Sequence, residues 1–243
     1  MVLASVYKSH DLDQRSKSLT EKPSPKQCKL PPYGQPEITM IDLLRTGPRD
    51  GVILLLAHGA GAGMDSAFME SIAGNLAELG IGVARFEFPY MQTVRQTGRR
   101  RPPDRMPRLV DSFKEVVGAL GGPERLVIGG KSMGGRVASL VATELDVMGV
   151  VCLGYPFHPP GKPDVLRTGH LPKIRCPGLI LQGERDPLGR RDEVAQYALP
   201  ASLRVSWMAD GDHDLKPRVR SGLEHSGQLR LAATQIRDFI GGL

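Results

Sequence analysis

The chain has 243 residues, of which 40% are hydrophobic and 24% charged, and its formal net charge at pH 7 is +6. This length and composition are typical of one soluble domain, and no apolar run approaches the ~20 residues that cross a bilayer. Cys28, Cys152 and Cys176 form no CxxC pair. We therefore predict no disulfide framework and no zinc site.

The first 35 residues form a segment of their own. They are polar, show little apolar periodicity and include Pro23, Pro25, Pro31 and Pro32. This pattern predicts a flexible or loosely docked arm over 1–35, followed by a folded domain over 36–243. The beginning of the arm has no apolar core of the kind that a secretory signal needs, so we expect a cytoplasmic protein.

Apolar runs and helical spacing alternate along the rest of the chain. Residues 51–57 are a continuous apolar run, as in a parallel strand covered on both faces, and 82–86 predict the next strand. Asp65 or Ser66 is placed to cap the helix between them. A second predicted helix has its apolar side chains at helical spacing: Leu109, Val110, Phe113, Val116, Val117 and Leu120. Strands alternating with helices predict an α/β fold with a mostly parallel central sheet.

The most informative motif is Gly130-Lys131-Ser132-Met133-Gly134. It joins an apolar run that predicts a strand to a stretch with the apolar spacing of a helix. Glycines two residues before and after the serine relieve clashes in a sharp turn, which is typical of a nucleophile elbow. A glycine-rich turn with an incidental serine is the alternative. A phosphate-binding loop is excluded, because Arg125 stands where that motif needs glycine.

A serine nucleophile needs a histidine base and an acid, in the chain order serine, acid, histidine for this kind of fold. Asp186 follows the predicted strand 179–182, and His213 follows the predicted strand 203–208. We therefore predict that Ser132, Asp186 and His213 form a catalytic triad. Glu184 is the alternative acid, and His213 could instead be an ordinary surface histidine.

An acyl-transfer site also needs two N–H donors for the developing oxyanion. Met133, immediately after the nucleophile, predicts one donor. The glycine-rich stretch 58–63 directly follows the first strong strand and predicts the second, for which we select Ala60. We interpret His58 as a structural residue of this loop.

Six arginines lie within fourteen residues: Arg95, Arg99, Arg100, Arg101, Arg105 and Arg108. Prolines interrupt the segment and it has no aromatic residue for base stacking, so we do not predict nucleic-acid binding. A loop here could bring Arg99, Arg100 or Arg105 to the mouth of the site and favour an anionic substrate. The alternative is that Asp104 pairs with neighbouring arginines.

The sequence blocks resemble one protein family. AHGAGAGMDS, GGKSMGGR, LGYPFHPPGKPD, GERDPLG and GDHDL, among others, resemble the alpha/beta-hydrolase superfamily from about residue 36 onward. Within it they are similar to dienelactone-hydrolase-like proteins and to the hydrolase-like domain in a scaffold subunit of a histone-acetylation complex. The resemblance implies the fold and a Ser132–Asp186–His213 triad. Dienelactone hydrolases use cysteine, so Ser132 departs from them and their substrate does not carry over.

The connection over 154–175 is too short for a multi-helix lid, so we predict no large lid domain and an open cleft. Together these features predict a serine hydrolase acting on a small-molecule ester or thioester through an acyl-enzyme, without a metal or organic cofactor and without contact with a membrane. The alternative is a hydrolase-fold scaffold or interaction module without catalysis.

Overall fold

A computed structural model describes residues 42–243. The predicted arm over 1–35 and the first residues of the predicted domain, 36–41, lie outside the described residues. The boundary between arm and domain therefore stays a prediction.

The described chain forms one seven-stranded sheet whose strands lie in the order β1-β3-β2-β4-β5-β6-β7. In chain order the strands are β1 (Leu43–Thr46), β2 (Ile53–Ala57), β3 (Gly82–Phe86), β4 (Leu126–Lys131), β5 (Gly149–Leu153), β6 (Gly178–Gly183) and β7 (Leu203–Met208). Only β1 is antiparallel to its neighbour. The predicted mostly parallel sheet is confirmed. The sequence did not predict β1, because it is a short edge strand of half-buried residues.

Six helices accompany the sheet within residues 42–243. They are α1 (Ala67–Glu78), α2 (Pro89–Thr97), α3 (Met106–Ala119), α4 (Met133–Val141), α5 (Arg191–Val194) and α6 (His225–Gly241). The apolar faces of α3 and α4 pack on one side of the sheet, and those of α1 and α6 pack on the other. Successive residues of a central strand alternate between these two cores: Leu55 faces the first and Leu54 the second.

Helix α2 occupies a stretch for which the sequence analysis predicted no helix, and its last residues overlap the arginine segment, where a loop was expected. Pro89 is its first residue, and Gly98 ends it in the left-handed region with a φ of 66°. The sequence carried only a weak signal for this helix. Tyr90 is its only buried residue, so the helix has almost no apolar periodicity. Its last turn contains Arg95, the first residue of the arginine segment.

The connection 154–175 contains a single short 3₁₀ turn, Leu171–Lys173, so no large lid domain covers the sheet. The Oγ of Ser139 on α4 lies 2.8 Å from the Nε2 of His170, and this contact fastens the connection to the helix behind the elbow. Within the described range 42–243, none of the helices is both long enough and apolar enough to cross a bilayer.

The half-buried ring of His170 leads to a prediction of how the free energy of unfolding changes at low pH. Burial, with Arg136 and Lys173 nearby, lowers its pKa to about 4. The unfolded chain, with a pKa of about 6.5 at this residue, takes up the proton first, so stability is lost as the pH falls from about 6.5 to 4. We expect this residue to contribute about 1–2 kcal/mol, allowing for solvent screening of a half-buried ring. The free energy of unfolding in urea, measured at pH 7 and at pH 4.5, should fall less between these two pH values in His170→Gln than in wild type. Equal losses would contradict the assignment.

Candidate active site

Ser132 stands at the turn between β4 and α4. Its φ of 52° lies in the left-handed region, which is uncommon for a residue with a side chain and costs about 1–3 kcal/mol. The flanking glycines let the chain make this turn. A Cβ on Gly130 would lie 2.5 Å from the Ala57 carbonyl oxygen, and one on Gly134 would lie 2.6 Å from that of His58. The elbow therefore needs glycine on both sides, and it exposes the serine hydroxyl at the ends of the parallel strands.

The structure brings together the three residues that were predicted as a triad. The Oγ of Ser132 lies 2.8 Å from the Nε2 of His213, and the Nδ1 of His213 lies 2.8 Å from a carboxylate oxygen of Asp186. With the ring proton on Nδ1, the imidazole donates to Asp186 and Nε2 is free to accept the serine proton. Asp186 is completely buried and His213 is mostly buried. This arrangement can transfer a proton from the hydroxyl to the ring.

Asp186 is held by donors other than the histidine. Its carboxylate accepts a hydrogen bond of 2.9 Å from the Nε2 of Gln182 and one of 2.8 Å from the backbone N–H of Leu188. Gln182 is fully buried, and its Oε1 accepts the N–H of Tyr155 at 2.7 Å. The sequence analysis treated Gln182 only as the end of a strand. A polar residue in a buried strand, four positions before the acid, was the available signal.

Glu184, the alternative acid, points elsewhere. Its carboxylate bonds the guanidinium of Arg191 at 2.6 Å and accepts the N–H of Asp210 at 3.0 Å. The hydrogen bond from the Asp210 N–H, followed by that from Arg191, lowers the pKa of Glu184. It bridges the loops after β6 and β7 as a fixed carboxylate and does not contact His213.

His58 has the structural position that the sequence predicted. It is fully buried, its Nε2 accepts the N–H of Phe88 at 3.1 Å, and its Nδ1 lies 2.7 Å from the carbonyl oxygen of Gly59. Burial lowers the pKa of His58, which favours the neutral ring these contacts need. The hydroxyl of Tyr90 donates to the carbonyl of Ala60 at 3.0 Å and holds the loop from the other side.

The predicted oxyanion donors flank the serine. Ala60 lines the cleft beside Ser132, and Met133 is the first residue of α4. A Cβ built on Gly59 would lie 3.8 Å from the Cβ of Ser132, so the backbone of this loop runs close to the nucleophile. These positions suit two N–H donors, and their role stays a prediction.

Arg95 supports this loop, a role that the sequence analysis missed. Its Nε donates to the carboxylate of buried Glu87 at 2.9 Å, and its guanidinium bonds Asp65 at 2.9 Å. Glu87 in turn accepts the N–H of Met64 at 3.4 Å. The hydrogen bond from Arg95 lowers the pKa of Asp65. The first residue of the arginine segment thus ties α2 to the end of the glycine-rich loop 58–63, which we name the oxyanion loop after its predicted role.

The other arginines do not reach the cleft. Arg99, Arg100 and Arg105 are exposed, and none of them lines it. Because residues 89–97 form α2, the chain has left the sheet edge before these arginines begin. The carboxylate of Asp104 instead lies 3.4 Å from the guanidinium of Arg101 and 3.7 Å from that of Arg108. These contacts agree with the alternative interpretation, in which Asp104 pairs with neighbouring arginines. The positions of these side chains correct the expectation that the segment contacts substrate.

The cleft at Ser132 has a volume of about 610 Å³. Its lining comes from the oxyanion loop, the first turn of α1, the loop after β7 that carries His213 (the His213 loop), and the start of α6. Apart from Ser132 and His213, the residues of chemical interest in it are Ala60, Phe68, Lys131, Asp214, Lys216 and His225. Positive groups are therefore available at the cleft, but they are lysines rather than arginines.

Comparison with known proteins agrees with this architecture. Residues 50–241 match the model of a family described as an alpha/beta hydrolase domain. An alpha-beta serine hydrolase homologue from Coxiella burnetii is 19% identical, with a TM-score of 0.58 over 79% of this chain and 89% of that one. A dienelactone hydrolase from Anabaena variabilis is 21% identical, with a TM-score of 0.59 over 83% and 92%.

A serine hydrolase from Xanthomonas campestris, described as lacking a lid, is 19% identical, with a TM-score of 0.54 over 80% of this chain and 88% of that one. At such identities these structures share the fold alone. The family match covers most of the chain, and the nucleophile elbow and sheet order agree with it. The chain belongs to the alpha/beta-hydrolase family.

Proposed function

We propose that this protein is a serine hydrolase that cleaves a small ester or thioester through an acyl-enzyme. The observation that carries the proposal is the continuous hydrogen-bonded series from Ser132 through His213 to Asp186, with 2.8 Å at both steps. A hydroxyl in contact with a neutral imidazole, itself oriented by a buried carboxylate, is the arrangement that activates serine for acyl transfer.

The proposed reaction has two steps. The Oγ of Ser132 attacks the substrate carbonyl while the Nε2 of His213 takes its proton, and Asp186 stabilises the resulting imidazolium. The N–H groups of Ala60 and Met133 stabilise the oxyanion of the tetrahedral intermediate. His213 then gives its proton to the leaving alkoxide or thiolate. Water repeats the sequence, so the acyl group leaves as a carboxylic acid and Ser132 regains its proton.

The cleft supports small or protruding substrates. The connection 154–175 forms no helical cover, and the space of about 610 Å³ is of the size that holds a small organic molecule. Because Arg99, Arg100 and Arg105 do not line the cleft, the arginine segment gives no argument for an anionic substrate. If the acyl or leaving group carries a negative charge, Lys216 is the exposed cation at the cleft that would meet it.

A fluorophosphonate probe tests the proposal, because it reacts only with an activated serine. We expect wild type to take up one phosphonate, which peptide mass spectrometry places on Ser132, and Ser132→Ala to take up none. Ser71→Ala is the matched control, since Ser71 lies on α1 and its hydroxyl accepts a hydrogen bond of 3.5 Å from the side chain of Asn75. Folded wild-type protein that stays unlabelled would refute the proposal and favour the non-catalytic scaffold instead.

A further inference from the structure

Lys131, the residue before the nucleophile, has a side chain that the proposed mechanism does not use. The sequence analysis named it as part of the elbow motif and assigned it no role. The structure shows its side chain only 9% exposed at the end of β4. Its Nζ donates a hydrogen bond of 2.8 Å to the backbone carbonyl of His213 and lies 3.1 Å from the carboxylate of Asp214.

A buried lysine needs compensation, because leaving water disfavours its charged form. Burial lowers the pKa of Lys131, and the charge of Asp214 opposes that effect. The ammonium also lies 5.4 Å from the centre of the Phe68 ring, a favourable position for a cation. A carbonyl, a carboxylate and an aromatic face therefore surround the group, so it is a fixed part of the site.

The end of β5 leaves room for this contact. Gly154 has a φ of 65°, in the left-handed region. A Cβ at this position would lie 2.7 Å from the His213 carbonyl oxygen and 3.3 Å from the Nζ of Lys131. Glycine at 154 thus allows the lysine to cross from β4, over the neighbouring strand, to the loop after β7.

The rest of the His213 loop is fixed on either side of the histidine. Before it, the Nε of Arg185 donates to the carbonyl of Asp210 at 2.9 Å. After it, the carboxylate of Asp212 accepts the N–H groups of Asp214 at 2.9 Å and Lys216 at 3.0 Å. Lys131 contacts the backbone of His213 itself, and does so from the residue next to Ser132.

We infer that Lys131 is a positioning residue, whose ammonium holds the backbone of His213 and thereby keeps the imidazole within hydrogen-bonding distance of Ser132. The inference rests on the proposed function. Lys131 immediately precedes Ser132 in the chain. Its side chain therefore links the end of β4, where the nucleophile follows, to the loop after β7 that carries His213. A displacement of about 1 Å between reacting groups can cost about 100-fold in rate, so this link matters for kcat.

Lys131→Met tests the inference, because it keeps the length of the side chain and removes the donor. We expect kcat for a short ester to fall about 10- to 100-fold with KM changed less than about 3-fold, because the variant still binds substrate. Lys114→Met is the matched control: it removes a lysine that bonds Glu144 at 2.8 Å on the α3 and α4 side.

A second readout reports the position of the imidazole directly. The proton between the Nδ1 of His213 and Asp186 gives a downfield NMR signal, which should shift or broaden in Lys131→Met and remain in Lys114→Met. If Lys131→Met does not fold, Lys131→Gln keeps a polar group but ends one atom short of the ammonium position, so it weakens the same contact. We expect it to show the same loss of kcat.

Wild-type kcat and an unchanged imidazole signal in a folded Lys131→Met would overturn the inference and leave the proposed function intact. An unlabelled, inactive wild type would instead refute the proposed function. In that case the NMR comparison still decides whether Lys131 positions the ring.

Discussion

Asp186→Asn is expected to lower kcat by about four orders of magnitude while the protein stays folded, as loss of the acid does in other serine triads. The carboxylate accepts hydrogen bonds from His213, Gln182 and the Leu188 N–H. An asparagine can keep the Leu188 contact through its oxygen, but its NH₂ group then faces the donors of His213 and Gln182. The imidazole is driven to the wrong tautomer or rotated, and Nε2 no longer accepts the serine proton. Ester hydrolysis at saturating substrate measures the loss.

Two controls separate the role of the acid from general effects. Asp192→Asn makes the same change at an exposed position on α5 and should leave kcat unchanged. Glu184→Gln removes the charge of the alternative acid, which contacts Arg191 and the Asp210 N–H rather than His213, so less than about a 3-fold loss is expected. A large loss in Glu184→Gln with activity retained in Asp186→Asn would reverse the assignment.

The sheet was predictable because buried parallel strands have a simple signature. β2 is a run of four apolar residues and an alanine, and its residues meet a core on both faces. The order of Ser132, Asp186 and His213 along the chain then predicted the site, since each follows a strand end and the ends of parallel strands lie at one edge. Local pattern and topology together were sufficient to predict that these three side chains lie together.

The supporting residues were not predictable in this way. Gln182, Lys131 and Arg95 act through side-chain hydrogen bonds to groups distant along the chain, and such contacts leave no periodic pattern in a single sequence. The arginine segment was misread for a related reason. Charge density indicated a surface that could bind anions, but the chain direction set by α2 places Arg99, Arg100 and Arg105 outside the cleft.

Gly134→Ala is expected to destabilise the protein by about 3 kcal/mol or more, enough to leave much of it unfolded at moderate temperature. The added methyl group would meet the backbone carbonyls of Ala57, the last residue of β2, and His58, the first residue after that strand. Neither carbonyl can move without disturbing β2 and the oxyanion loop that follows it. Urea unfolding followed by circular dichroism measures the change.

Gly74→Ala is the matched control, with an effect of opposite sign. Gly74 lies within α1, and beyond the adjacent residues and the nearby backbone of the helix itself no atom comes within 4 Å of the position that its Cβ would take. Alanine there restricts the unfolded chain and favours the helix, so stability should rise by about 0.5–1 kcal/mol. Similar stability changes in the two variants would mean that glycine is not required at the elbow. Opposite changes would show that the turn at Ser132 depends on close backbone contact, because the substitution is chemically the same at both sites.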